Sequence, residues 1–346
     1  MMTLPPELHG PAVWRGPEIA ARGDWIAPLS AADIAEIEAA VTANAKRDIA
    51  SMRAAHFALP TLAPRLARMR HEVLNGRGFA LLRGLPVQRW TTRQCAIAFF
   101  GIGTHFGAAV SQNAQGHVLG HVRDLGLSAD DPNVRIYQTH ERQTFHTDSC
   151  DIVGLLCLQV AQQGGDSALV SSNTMWNVMR ERAPELAALL LEPIATDRRG
   201  EVPAGQRPYF TIPVFNWFEG RMSAIYQRQY IDSAQRFTDA PQLTPAHVAA
   251  LDLFDELAND PKLNFLMTLQ AGDIQLVHNH TLLHDRTAFT DWPEPERKRH
   301  LLRLWLAPPD ARPLLPVFAQ RYGTVVPGAR GGVPAMVPLN APLAAA

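Results

Sequence analysis

QTFHTDSCDIVGLLCL, residues 143–158, joins a polar His-x-Asp to an apolar run. On a strand, residues two apart face the same way, so His146 and Asp148 can offer an imidazole and a carboxylate to one metal ion. The run that follows, IVGLLCLQV, is short and rich in branched residues, as a buried strand is. Similar runs are VRIYQT from Val134, SALVSS from Ser167, GRMSAIYQ from Gly220, DIQLVH from Asp273 and HLLRLWLA from His300. Upstream, GFALLRGL (78–85) is a further strand closed by Pro86. Helices are expected at 30–45, where Ser30 and Asp33 cap a face of Ile34, Ile37 and Val41, and at 92–100. Two more are expected at 173–191 and, behind a Thr244 cap, at Pro245–Asn259. Many short strands with helices inserted, not alternating, favour a mainly β sandwich or barrel with helical extensions over a doubly wound sheet.

The 346 residues, 47% of them hydrophobic, suffice for a large core. The expectation is one domain over 1–346, with a helical N-terminal extension (1–70) and a Pro/Ala-rich tail (310–346) that packs back on the body. A net charge of −1 with no basic run leaves no footprint for nucleic acid or a membrane surface. Among 32 basic residues only Lys46, Lys262 and Lys298 are lysines. Cys95, Cys150 and Cys157 form no C-x-x-C, and no basic-then-apolar leader opens the sequence, so the chain reads as a soluble cytoplasmic protein.

GIGTHFG (101–107) has the wrong spacing and context for a dinucleotide turn, and HERQTFH (140–146) lacks the spacing of a zincin helix. The second informative segment is GDIQLVHNHTLLHDRTAFTDWPEPERKRHLLRLWLAPP, residues 272–309. Its His278, His280 and His284 each qualify as a third ligand beside His146 and Asp148. Two His and one carboxylate with open positions is the site type of non-haem Fe(II) oxygenases. Arg299 and Arg303 bracket an apolar strand, where a buried guanidinium needs an anion, and a dicarboxylate cosubstrate would supply one. Arg286 and Asp291 read as a structural pair, Cys150 as a small buried hydrophobe, and Trp176, Trp217 and Trp305 as core or cavity wall.

The order H-T-D, a distal His, then Arg at 15 and 19 residues beyond it resembles the taurine/2-oxoglutarate dioxygenase family, which includes clavaminate synthase-like enzymes. GFALLRGLP, the GGDS turn at 164–167 and NHTLLHDRTAF are similar to the same family, over roughly residues 70–310. The resemblance implies a double-stranded β-helix, or jelly roll, with His146, Asp148 and His284 as Fe(II) ligands. It implies that Arg303 and Ser167 bind the distal carboxylate of 2-oxoglutarate, with Arg299 near the metal-bound end.

The activity so implied is hydroxylation or desaturation of a small organic acid or amino-acid-like substrate. It uses O2 and is coupled to decarboxylation of 2-oxoglutarate to succinate and CO2. Asp148 disfavours halogenation, which needs a small residue in its place. Arg142, Gln143, the 101–131 segment and the 197–219 stretch are where family members build substrate contacts and lids. The family also implies a dimer or tetramer. Two other readings use the same triad, a cupin-like metalloenzyme without 2-oxoglutarate and a catalytically silent binding module. The first would have no use for the arginine pair, and the second would leave the triad unoccupied.

Overall fold

The computed structural model describes residues 4–128 and 134–344, so 129–131 of the expected lid segment lie outside the described residues. A seven-stranded sheet runs Ile26–Pro28, Phe79–Arg83, Ile274–His278, Ile152–Gln159, His300–Ala307 and Ala108–Ala109, with Gly120–Val122 also paired to His300–Ala307. The first pair is parallel and the others antiparallel. A four-stranded antiparallel sheet runs Phe265–Met267, Ser167–Ser171, Leu282–Arg286 and Gln143–His146.

Period-two alternation decides what each sheet buries. In His300–Ala307, Leu302, Leu304 and Leu306 pack with the helices Ala31–Ala43, Ala63–Asn75 and Thr92–Gly103. Leu301 and Trp305 instead join Phe79, Leu169, Phe265 and Leu282 in a core drawn from both sheets. On the smaller sheet, Phe145, Val170 and Leu283 pack under Ser172–Arg182, Pro184–Leu189 and Pro245–Asn259. The chain is thus mainly sheet, with the two sheets sharing a core and helices covering the other face of each.

Several expectations hold closely. Ser30 caps Ala31–Ala43 in a capping box, and Thr244 does the same for Pro245–Asn259. Others need correction. VRIYQT forms a 3-10 turn, Ile136–Gln138, because Gln138 Oε1 accepts from the Arg135 N–H at 3.2 Å and closes the backbone on itself. The single helix at 173–191 is two helices, since Pro184 drives Ala183 out of the helical region, to φ −152° and ψ 70°. The N-terminal segment is not only helical, for Ile26–Pro28 adds an edge strand to the larger sheet. The tail does pack back: Phe318 and Arg330 are fully buried. No helix among the described residues is long and apolar enough to cross a membrane.

Candidate metal and carboxylate site

Strand register builds the centre of the site. His284 pairs directly with His146 across the smaller sheet, and both side chains point to its inner face. Their rings lie 4.2 Å apart between centroids. The strand ends at His146, so Asp148 is not on it as the i, i+2 argument assumed. Asp148 is positioned by Asn279, whose Oδ1 accepts from its backbone N–H at 3.0 Å, and by Thr147 N–H donating to Tyr226 O. Asp148 Oδ1 then stands 3.9 Å from His146 Nε2, and its Oδ2 stands 3.8 Å from His284 Nε2. Ligand atoms of all three lie within 4.8 Å of one another, and all three residues are buried.

The protonation states suit a metal. His146 Nδ1–H donates to Thr144 O at 2.8 Å, which leaves Nε2 with its lone pair toward Asp148. Burial holds both imidazoles below the ordinary histidine value, His284 at about 3, so both are neutral ligands. Burial alone would raise Asp148, but Arg303, both histidines and the Trp305 indole outweigh it and keep the carboxylate ionised. The set fits a divalent ion that accepts two nitrogens and one carboxylate. His278 and His280 are elsewhere: His278 Nδ1 pairs with Thr281 Oγ1 at 2.8 Å, and His280 Nε2 with Asp151 Oδ1 at 2.9 Å.

A narrow cavity of about 40 Å³ leads from the triad between the sheets. Ser167, Arg286, Arg299 and Arg303 line it, with Leu155, Leu269 and Leu301 as apolar wall. Arg303 is the arginine at the metal end, its Nη1 3.7 Å from Asp148 Oδ2. Its Nε donates to Gln112 Oε1 at 2.8 Å, and its guanidinium lies over the Tyr137 ring. Arg299 sits at the Gly165 turn, with Nη2 donating to Gly165 O at 3.3 Å and Nη1 buried without a partner. The expected order of the two arginines is therefore reversed. Residues four apart along an extended strand stand about 13 Å from each other, so Arg299 and Arg303 reach opposite ends of the cavity.

Arg286 is the residue sequence reasoning missed. It is not paired with Asp291, whose Oδ1 accepts instead from the Arg299 and Trp292 backbone N–H groups. Arg286 stands opposite Ser167 in register, and its Nε and Nη2 are buried with no partner. Burial first, then the charge of Arg299, lowers it to about 9. Two neighbouring buried guanidiniums with unmet donors need an anion. The available signal was the period of two, since Arg286 is two residues beyond His284 on the same strand. Ser167 Oγ meanwhile exchanges hydrogen bonds with the Gln275 amide, at 2.8 Å from its Nε2.

Trp305 also does more than form a wall, because its Nε1–H donates to Asp148 Oδ2 at 2.8 Å. Gln143 lines both cavities, and its Nε2 donates to His146 Nε2 at 2.9 Å. Arg142 lines neither cavity: its Nε donates to Asp285 Oδ2 at 2.9 Å and its Nη2 pairs with Asn259, on the helix-covered side. Asp285 is buried and claims that charge. Cys150 is buried, accepting from Asn279 Nδ2 at 3.2 Å. Beyond the triad opens a cavity of about 760 Å³, lined in part by Gln112, His117, His121, Arg199, Glu201 and Phe210, from the two stretches expected to form lids.

Residues 44–305 match the family model described as taurine catabolism dioxygenase TauD, TfdA family. The chain is 32% identical over 307 residues to FR-33289 synthase of Streptomyces rubellomurinus, covering 86% of this chain and 90% of that one. It is 30% identical over 323 residues to the taurine hydroxylase-like protein SAT17 of Stachybotrys chartarum, covering 88% and 82%. An asparagine oxygenase solved with Fe(II), 3-hydroxyasparagine and succinate superposes with a TM-score of 0.63 at 17% identity, covering 82% of this chain and 93% of that one. The non-haem iron oxygenase OrfP, solved with Fe and α-ketoglutaric acid, gives 0.61 at 13% identity, covering 81% and 93%. The chain accordingly belongs to the taurine catabolism dioxygenase TauD, TfdA family, as a non-haem iron oxygenase that uses 2-oxoglutarate and O2.

Proposed function

We propose that this chain hydroxylates a C–H bond of a small organic acid or amino-acid-like substrate within a single double-stranded β-helix domain spanning 1–346. The observation that carries the reading is the junction of the His146, Asp148 and His284 cluster with a narrow cavity that ends at Arg286, Arg299 and Ser167. Bound iron and 2-oxoglutarate supply oxidative decarboxylation, with one oxygen atom of O2 going to succinate and the other to the substrate. His146, Asp148 and His284 hold the iron. Arg299 and Arg286 neutralise the far carboxylate and the Ser167 hydroxyl donates to it, giving a paired anion in a site otherwise closed to water. Leu155, Leu269 and Leu301 exclude water along the methylene chain between the two ends. Arg303 and Trp305 fix the carboxylate of Asp148 and present the substrate side of the site to the larger cavity. For His146 to bind metal, Gln143 gives up its hydrogen bond to Nε2. The solved neighbours, in complex with hydroxylated asparagine and hydroxylated arginine, support an amino-acid-sized substrate.

Anaerobic addition of Fe(II) and 2-oxoglutarate to the purified chain should produce a visible charge-transfer band, and admission of air should yield succinate. H146A and D148A should lose the band together with stoichiometric iron. A chain that binds metal with neither band nor succinate is not a 2-oxoglutarate oxygenase, and the cupin-like or silent-module reading would replace this one.

A further inference from the structure

The larger cavity carries a second set of arginines that neither iron nor 2-oxoglutarate uses. Arg135, Arg199 and Arg321 line its wall away from the narrow cavity. Arg321 comes from the short tail helix Ala319–Tyr322 and is 9% exposed. Its Nε donates to Ser149 Oγ at 2.7 Å, which sets the guanidinium beside the residue that follows Asp148. Its Nη1 is buried without a partner, and its Nη2 comes only to 3.8 Å of Glu201 Oε2. The other oxygen of that carboxylate, Oε1, stands 3.0 Å from Arg135 Nη2, so Glu201 is shared between the two arginines and leaves Arg321 Nη1 unmet. The other carboxylate at this wall, Asp197, accepts from Ser233 Oγ and the Arg199 N–H and lies 2.6 Å from Arg236.

Behind Arg321 lies Arg198, also buried, whose guanidinium binds Gln206 Oε1 and the carbonyls of Arg207 and Gln320 but no carboxylate. The two guanidiniums stand over the same Phe210 ring, at 5.5 and 5.8 Å from its centroid. Burial first, then the charge of Arg321, lowers Arg198 to about 10. The unmet donor of the pair is Arg321 Nη1, and an anion in the cavity would both satisfy it and offset the second buried positive charge.

We propose that Arg321 is a specificity-determining residue that binds an oxyanion of the primary substrate, a carboxylate or phosphonate group, at the tail side of the larger cavity. Arg198 supports it from behind. This deepens the proposed function, because it fixes the substrate end for end: the anionic head lies at Arg321, and the carbon to be oxidised lies toward His146, Asp148 and His284. A cationic head group, such as an unmodified amine, is repelled at that position.

The test is calorimetric titration of the full chain with methylphosphonate and, separately, acetate, with and without anaerobic Fe(II) and 2-oxoglutarate. Saturable binding is expected, weaker by about tenfold or more in R321Q, largely kept in R321K, and unchanged in R182Q, an exposed arginine paired with Glu256. Affinity for 2-oxoglutarate should be equal in all four proteins, which also verifies that R321Q is folded. Preference between the two probes identifies the oxyanion. Equal probe binding by wild type and R321Q, or no saturable binding of either probe, overturns the proposal. Failure of 2-oxoglutarate to bind overturns the oxygenase reading instead, and the titration of the unloaded chain still decides the role of Arg321.

Discussion

Arg299 and Arg303 are four residues apart in the sequence and do different work in the fold. Arg303 stands against Asp148, whereas Arg299 has a buried Nη1 that no protein atom meets. R299Q should therefore raise the KM for 2-oxoglutarate about 10- to 100-fold, the loss of one charge-assisted pair, while iron binding is kept. Succinate formation against 2-oxoglutarate concentration measures this, and an unchanged KM would return the far carboxylate to Arg303. His146 and Asp148 were legible as candidate ligands once the His-x-Asp pair was set beside the distal histidines and arginines, and the structure brings them together with His284 although Asp148 lies off the strand. His284 was separable from His278 and His280 only through the family resemblance, and the structure gives the physical reason: register sets His284 opposite His146, whereas the other two stand apart, against Thr281 and Asp151.

At the scale of elements, apolar periodicity found the strands Phe79–Arg83, Ile152–Gln159, Ser167–Ser171, Ile274–His278 and His300–Ala307, because each buries alternate side chains in different layers. It failed at 134–139, where the side chain of Gln138 turns the backbone before any partner strand is met. The packing of Thr92–Gly103 is equally invisible to periodicity. A Cβ on Gly101 would lie 2.3 Å from the Phe57 ring, so this helix approaches its neighbour only because position 101 is glycine. Although alanine is the better helix former, G101A should destabilise the chain by about 1–3 kcal/mol through overpacking. A lower denaturation midpoint in urea is the expected reading, and a rise would mean that Phe57 can move aside.

For the molecule as a whole, the tail is tied to the site by a fully buried pair. Arg330 donates from Nε and Nη2 to Asp151, at 3.0 and 2.6 Å to Oδ1, and His280 closes the same carboxylate. Burial would raise Asp151, but His280 and Arg330 outweigh it and hold it below the ordinary carboxylate value of 3.8. A group depressed in the folded state stabilises above its unfolded value and loses that contribution as pH falls through the folded one. D151N should thus cost about 3–5 kcal/mol at neutral pH by stranding the buried guanidinium. The gap to wild type should stay level from neutrality down to the ordinary carboxylate value and shrink below it. Urea midpoints over that range measure both, and a gap that persists undiminished in acid would assign the cost to packing instead of charge.

The sequence by itself determined the family and the mainly β character, because the order of short motifs and the strand period are properties read along the chain. Only the tertiary structure decided that Arg303 stands beside Asp148 and Arg299 at the Gly165 turn, that Arg286 lines the same cavity, that Arg142 pairs with Asp285, and that Arg321 returns from the tail to the larger cavity. Those outcomes depend on strand register and on contacts between residues more than a hundred positions apart. Such contacts leave no periodic trace, since a charged side chain reveals its role only once its surroundings show which of its donors remain unmet.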